Sequence, residues 1–135
     1  GARHTNALRR AVKHGDGWMG AGSSNTDSFA TAVEQTKMYL EEAERDPDSF
    51  TISKRVYVAV DNEEDRAEGR LKEWFGKRYG NADMASAVSV WGSTAKVTEE
   101  LAKITGSGAE MVLLNPAFDD MEHLDALAEE VIPNF

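Results

Sequence analysis

Two stretches rich in small residues lie near the start of the chain, and their composition suits ligand binding. Gly1, Ala2 and Arg3 precede a helical pattern, where bare backbone amides and the helix dipole favour a phosphate and Arg3 adds a charged contact. In the second stretch, small residues let a flat ring approach the backbone, and its serines could donate hydrogen bonds to a phosphate or a ring carbonyl. This stretch consists of Met19, Gly20, Ala21, Gly22, Ser23 and Ser24. An ordinary tight turn is the alternative at the first stretch, and a flexible surface loop is the alternative at the second.

A short helix and a short strand separate these two stretches. Leu8, Ala11 and Val12 recur at helical spacing, and Gly15 is predicted to stop the helix in a left-handed conformation. Trp18 and Met19 begin a strand. In repeating α/β units, ligands bind at the loop that follows the strand.

The rest of the chain alternates between helical and strand patterns, which implies parallel strands joined by crossover helices. The strongest strand pattern is the β-branched and aromatic run Thr51–Val60, and a second apolar run covers Met111–Leu114. The segment from Met84 to Trp91 fits either a helical turn or a short strand. Helices are predicted from a cap at Thr26 or Asp27 to Arg45, over Glu63–Arg78, from Ser93 or Thr94 to Gly106, and from a capping box at Asp119 and Glu122 to Pro133.

The three histidines lack metal-ligand spacing, so no metal site is predicted. His4 lies beside the first small-residue stretch, whereas His14 and His123 are expected to be exposed on helices. The sequence shows neither a nucleophile elbow nor a phosphate-binding P-loop. No catalytic residue is therefore named.

Composition excludes several classes of partner. The chain has 135 residues, no cysteine and a net charge of −9, which disfavours binding to nucleic acid or to anionic membranes. No apolar run approaches the ~20 residues of a membrane span, and a cytoplasmic location is expected. The length predicts one domain over residues 1–135.

Several segments together resemble one family. The segment GARHTNALRRAVKHGDGWMGAG is similar to the C-terminal part of the luciferase-like monooxygenases, which are flavin- or deazaflavin-dependent (β/α)8-barrel oxidoreductases. The later segments SKRVYVAV, VWG, GAEMVLLNP and LAEEVIP resemble that family in the same order. A complete barrel needs roughly 250 residues, so the fold expected here is the C-terminal part of a TIM barrel, a partial barrel with parallel strands.

This resemblance implies a cofactor and a division of roles. The expected cofactor is reduced FMN or reduced 8-hydroxy-5-deazaflavin, with its phosphate on Gly1, Ala2 and Arg3 and its ring against Met19–Ser24. The parent enzyme would oxidise or hydroxylate a small organic substrate, using catalytic residues on strands that precede this chain. The isolated chain is expected to be inactive. Because only three strands are predicted, it should need the missing N-terminal half of the barrel or associate with itself.

Two other functions stay open at this point. A half-barrel could bind a flavin or act in assembly without catalysing turnover. Alternatively, a different barrel enzyme could bind a phosphorylated metabolite at the first small-residue stretch.

Overall fold

The computed structural model describes residues 4–135, so Gly1, Ala2 and Arg3 lie outside the described part of the chain. Helices and strands alternate along it, as the sequence predicts. The helices are α1 (Thr5–His14), α2 (Thr26–Glu42), α3 (Glu64–Tyr79), α4 (Met84–Val88), α5 (Thr94–Gly106) and α6 (Asp120–Ala126). The strands are β1 (Gly17–Gly20), β2 (Thr51–Val60), β3 (Ser89–Gly92) and β4 (Met111–Pro116). Short helical turns cover Pro47–Ser49, Leu127–Val131 and Ile132–Asn134.

The chain divides into two compact units, and β2 contributes to both. The first unit is Gly1–Arg55 with Ile104–Leu113. Within it, β1 runs parallel to the first half of β2, with Trp18 opposite Ile52 and Gly20 opposite Lys54. The helix α2 covers this sheet, where the Phe29 ring stacks on Trp18 at 5.7 Å between centroids. Burial of large apolar side chains is the main stabilising contribution here.

The second unit is Val56–Lys103 with Leu114–Phe135. Its strands β2 and β3 are parallel, with Tyr57 opposite Ser89 and Val60 opposite Gly92. Tyr57 packs edge-on against Phe75 of α3, and its hydroxyl lies 2.5 Å from that of Tyr79. This cluster anchors α3 beside β2, in accordance with the predicted helix.

Within residues 4–135 the sheet has four strands, not the three that the sequence predicts. The additional strand comes from the segment 84–91, which forms both of the structures considered for it: a helical turn, α4, and then β3. Ala85 and Val90 are the buried residues that fix these two pieces. The strands β2 and β4 pair, and the backbone amide of Glu110 donates to the Ile52 carbonyl at 2.8 Å.

Two predicted helix ends are wrong in detail. Gly15 ends α1 with φ −109° and ψ 167°, which is extended and not left-handed. The Arg45 guanidinium donates to the carbonyls of Val12 and Gly15 at 2.8 and 2.6 Å, so a side chain caps the helix and no left-handed turn is needed. The N-cap of α2 is Asn25, not Thr26 or Asp27, and its side chain accepts a 2.9 Å bond from the amide of Ser28.

The predicted capping box at α6 is also wrong. Asp119 is the N-cap residue, but its carboxylate makes no hydrogen bond to the helix. It pairs with Arg70 of α3 instead, and the Asp119 backbone adopts the left-handed region at φ 47°. None of the helices in the described range 4–135 has the length and apolarity needed to cross a membrane.

Candidate functional site

The loop proposed to contact a cofactor ring lies at the carboxyl end of β1 and leads into α2. Trp18 and Gly20 are buried beneath α2, whereas Met19 points to the opposite side of the strand and is 38% exposed. Gly22 and Ser24 are buried, and Ala21 and Ser23 are partly exposed. The accessible part of the predicted stretch therefore consists of Met19, Ala21 and Ser23.

Close packing explains why residue 20 is a glycine. A Cβ atom at this position would lie 2.6 Å from Cδ2 of Phe29 and 3.0 Å from Cδ of Lys54. The small residue thus allows α2 to lie close to the sheet. Contact with a ligand is not needed to account for it.

A buried lysine that the sequence analysis did not single out holds this loop. Lys54 on β2 is only 2% exposed, and its Nζ donates to the carbonyl oxygens of Ala21 and Ser24 at 2.7 and 2.9 Å. A third bond reaches the carbonyl of Arg55 at 2.9 Å. A lysine inside a strand pattern is ordinarily exposed, so periodicity alone could not reveal this position.

The hydroxyl of Ser24 is used inside the loop. It donates to the carbonyl of Ala21 at 2.8 Å, and the amide of Ser24 reaches the same oxygen at 3.1 Å. The carbonyl of Ala21 therefore accepts from both Ser24 and Lys54, which makes this turn well ordered. The phosphate stretch Gly1, Ala2 and Arg3 lies outside the described residues, and exposed His4 follows it as the N-cap of α1.

A polar cavity of about 590 Å³ lies in the second unit, at the carboxyl end of β2. It was not predicted from the sequence. Its lining combines carboxylates, guanidinium groups and an imidazole, contributed by Val60, Asp61, Asn62, Glu63, Arg66, Arg70, Asp119, Glu122 and His123. The only sequence signal was the acidic residue after a strong strand, a place where functional groups often lie.

The two arginines of the cavity are already paired. Arg66 holds both carboxylate oxygens of Asp61 at 2.7 Å, and Arg70 pairs with Asp119. The Arg66 guanidinium lowers the pKa of Asp61, with help from the amide of Glu63. Arg70 likewise lowers the pKa of Asp119. Because four carboxylates face two guanidinium groups, the cavity carries an excess of negative charge.

His123 is buried, which corrects the prediction that it is exposed. It is 5% exposed and packs edge-on against Phe118, with 5.3 Å between ring centroids. Its Nε2 atom is buried and has no hydrogen-bond partner among residues 4–135. Burial lowers the pKa of the imidazole, so the neutral form is favoured. Across those same residues, no group of three or more histidine or acidic side chains is placed to hold a metal ion.

Comparison with known proteins identifies the family. The family model of luciferase-like monooxygenases matches residues 1–111. The chain belongs to this family. No match was found among curated proteins.

Solved structures show that the luciferase-like chain adopts part of a barrel. The coenzyme F420-dependent tetrahydromethanopterin reductase from Methanopyrus kandleri superposes with a TM-score of 0.76 and 22% identity, covering 99% of this chain and 49% of its own. An F420-dependent secondary alcohol dehydrogenase superposes with a TM-score of 0.79 and 16% identity, covering 96% of this chain and 46% of its own. A long-chain alkane monooxygenase superposes with a TM-score of 0.71 and 15% identity, covering 98% of this chain and 39% of its own. The luciferase-like chain thus spans somewhat less than half the length of these proteins, and its parallel strands form a partial barrel.

Proposed function

We propose that this chain supplies the C-terminal part of the barrel of a flavin- or deazaflavin-dependent oxidoreductase that acts on a small organic substrate. The observation that carries the proposal is the loop Ala21–Ser24, fixed at the carboxyl end of a parallel strand in a member of the luciferase-like family. Its structural neighbours include F420-dependent enzymes and a riboflavin lyase whose structure contains a modified FMN. In barrels of this type, the carboxyl ends of the strands bear the active site.

The residues of this loop suit a flat, negatively charged cofactor. Met19 offers an exposed apolar and polarisable side chain beside the loop. The ammonium of Lys54, buried behind the loop, adds positive charge that favours a phosphate or an anionic reduced ring. The cofactor, when bound, supplies the hydride or oxygen chemistry. The residues of this chain bind it, orient it and keep water from its ring.

The phosphate of the cofactor is assigned to Gly1, Ala2 and Arg3, as the residue types and the family resemblance suggest. Loss of one charged hydrogen bond from Arg3 should weaken binding about tenfold to a hundredfold. The substrate is expected to enter from the part of the barrel that this chain does not include. That part, or a second copy of the chain, is the proposed partner.

The test compares two exposed methionines of the same unit. Met19→Glu places a charge on the proposed ring surface, whereas Met38→Glu alters a methionine on α2 that is more exposed, at 57% against 38%. Affinity for FMN and for the deazaflavin is measured by fluorescence titration, in this chain and in the longest natural polypeptide that contains it. Arg3→Ala and Gly22→Val are measured in parallel; because Gly22 is buried, the valine would act by displacing the loop.

We expect Met19→Glu, Arg3→Ala and Gly22→Val to weaken binding in the longer polypeptide while Met38→Glu leaves it unchanged. If none of the three substitutions weakens cofactor binding by more than about twofold, each residue contributes less to the affinity than one hydrogen bond would, and the proposed site is wrong. Cofactor binding without substrate-dependent oxidation of the reduced cofactor would instead indicate a non-catalytic binding module.

A further inference from the structure

The cavity at His123 is lined by residues of the second unit, whereas the cofactor loop after β1 belongs to the first. Its lining is almost entirely polar, and its volume of about 590 Å³ exceeds the ~300 Å³ at the lower end for ligand pockets. Ligand binding at this cavity can therefore be measured without any flavin.

The buried Nε2 atom of His123 needs a hydrogen-bond partner that the described residues do not supply. Buried polar atoms in folded proteins are nearly always hydrogen-bonded, and leaving one without a partner is costly. This atom has no partner among the described residues, although the imidazole itself is 95% buried at the edge of an open cavity. A neutral imidazole can accept a hydrogen bond at this nitrogen from a ligand donor.

The charges around His123 decide which donor fits. Arg66 and Arg70 are occupied by Asp61 and Asp119, which leaves neither guanidinium free to receive an anion. Glu122 lines the same cavity and is exposed, and its carboxylate adds a negative charge that acts on both Arg70 and His123. Because the carboxylates of the cavity outnumber its guanidinium groups by two, a negatively charged ligand is repelled and a positively charged donor is attracted.

We propose that this cavity binds a compact organic cation with ammonium or guanidinium donors, held by the carboxylate of Glu122 and the Nε2 atom of His123. Asn62, at the carboxyl end of β2, supplies a further amide acceptor in the same wall.

Three probes of equal chain length test the charge preference: 1,4-diaminobutane, 1,4-butanediol and succinate. The ring nitrogens of His123 are observed by long-range proton–nitrogen NMR at about pH 8, where an ordinary histidine is neutral. The exposed His4 and His14 provide internal controls in the same spectrum. The diamine should shift the His123 signals saturably, while the diol has a weaker effect and succinate none.

Variants of two glutamates near the C-terminus distinguish binding in this cavity from general attraction of a cation to an acidic protein. Glu122→Gln removes the carboxylate proposed to hold the cation. Glu129→Gln removes the charge of another exposed glutamate that does not line the cavity. Glu122→Gln should weaken diamine binding about fivefold, the scale of one partly screened ion pair, and Glu129→Gln should leave it within twofold. Equal effects of the two variants, binding of succinate, or no shift of His123 with any probe would each overturn the proposal.

Discussion

The ammonium of Lys54 lies 2.7 Å from the carbonyl oxygen of Ala21, so a residue in the middle of β2 fixes the loop that follows β1. The same ammonium also donates to Ser24 and Arg55, and only 2% of the side chain is exposed. A buried ammonium is tolerated only when its donors are satisfied. The order of this loop therefore depends on one side chain about thirty residues away.

Lys54→Met should destabilise the protein and loosen the loop. The methionine keeps most of the apolar stem but leaves the carbonyls of Ala21 and Ser24 without their charged donor, so we expect a loss of about 2–4 kcal/mol in unfolding free energy. Urea unfolding measures the loss, and hydrogen exchange should show faster exchange at residues 21–24. The matched control, Lys37→Met, removes an exposed ion pair and should change stability by less than about 0.5 kcal/mol. Equal effects of the two variants would contradict the role of Lys54.

Gly20→Ala should destabilise the first unit by about 1–3 kcal/mol, because the new Cβ would overlap the Phe29 ring. Gly69→Ala is the control, since a Cβ there meets nothing within 4 Å and the residue lies inside α3. That change should stabilise by about 0.5–1 kcal/mol. Thermal unfolding of both variants checks the two signs, and adding Phe29→Leu to Gly20→Ala should recover part of the loss. Equal stability of Gly20→Ala and the parent would show that packing does not require this glycine.

The paired carboxylate of Asp61 should make stability fall in acid. Its pKa is lower in the folded state than in the unfolded chain, so its contribution is present at neutral pH and is lost as the pH falls through the folded pKa. Asp61→Asn should therefore lower stability at neutral pH, with a difference that shrinks below about pH 4. Chemical unfolding across this range measures it, with exposed Asp65→Asn as the control. A difference that does not depend on pH would argue against the ion pair with Arg66.

Burial of His123 gives a second pH dependence at higher pH. Its folded pKa is depressed, so the unfolded chain binds more protons near its ordinary pKa of about 6.5. The contribution of neutral His123 to the free energy of unfolding is complete above that pH and decreases as the pH falls below it. An NMR titration should place the midpoint of His123 below about 6.5. His123→Gln should reduce the slope of stability between about pH 5 and 7. A midpoint above the ordinary value would mean that a carboxylate, not burial, dominates.

The apolar face of β4 should cause self-association in the isolated chain. Met111 and Leu113 are 57% and 46% exposed, although they lie on a sheet strand. Exposed strands with apolar side chains tend to pair or aggregate. Replacing both with Glu should reduce the mass measured by light scattering, whereas Met38→Glu should not. A compact monomer over a wide concentration range, with no binding of a hydrophobic dye, would contradict this expectation.

Local patterns in the sequence determined the α/β alternation, the long strand Thr51–Val60 and the stretch Met19–Ser24, in which a strand ends and a loop begins. Helical and strand periodicity depend on neighbouring residues, so they can be recognised without knowledge of distant contacts. The same residues, together with the ordered family-like segments, sufficed for the family. One short segment, 84–91, was ambiguous because it forms a helical turn and a strand in succession.

The tertiary structure alone decided which polar side chains are buried and what they contact. Lys54 reaches the loop at residues 21–24, Arg45 caps α1, and the carboxylate of Asp119 turns from its own helix to Arg70. His123 is buried because Phe118 and the cavity wall surround it. These partners lie up to 49 residues away in the chain, and a distant hydrogen bond leaves no periodic signal in the sequence. The sequence by itself thus determined the family and the elements, and the tertiary structure decided the contacts that give the sites their charge.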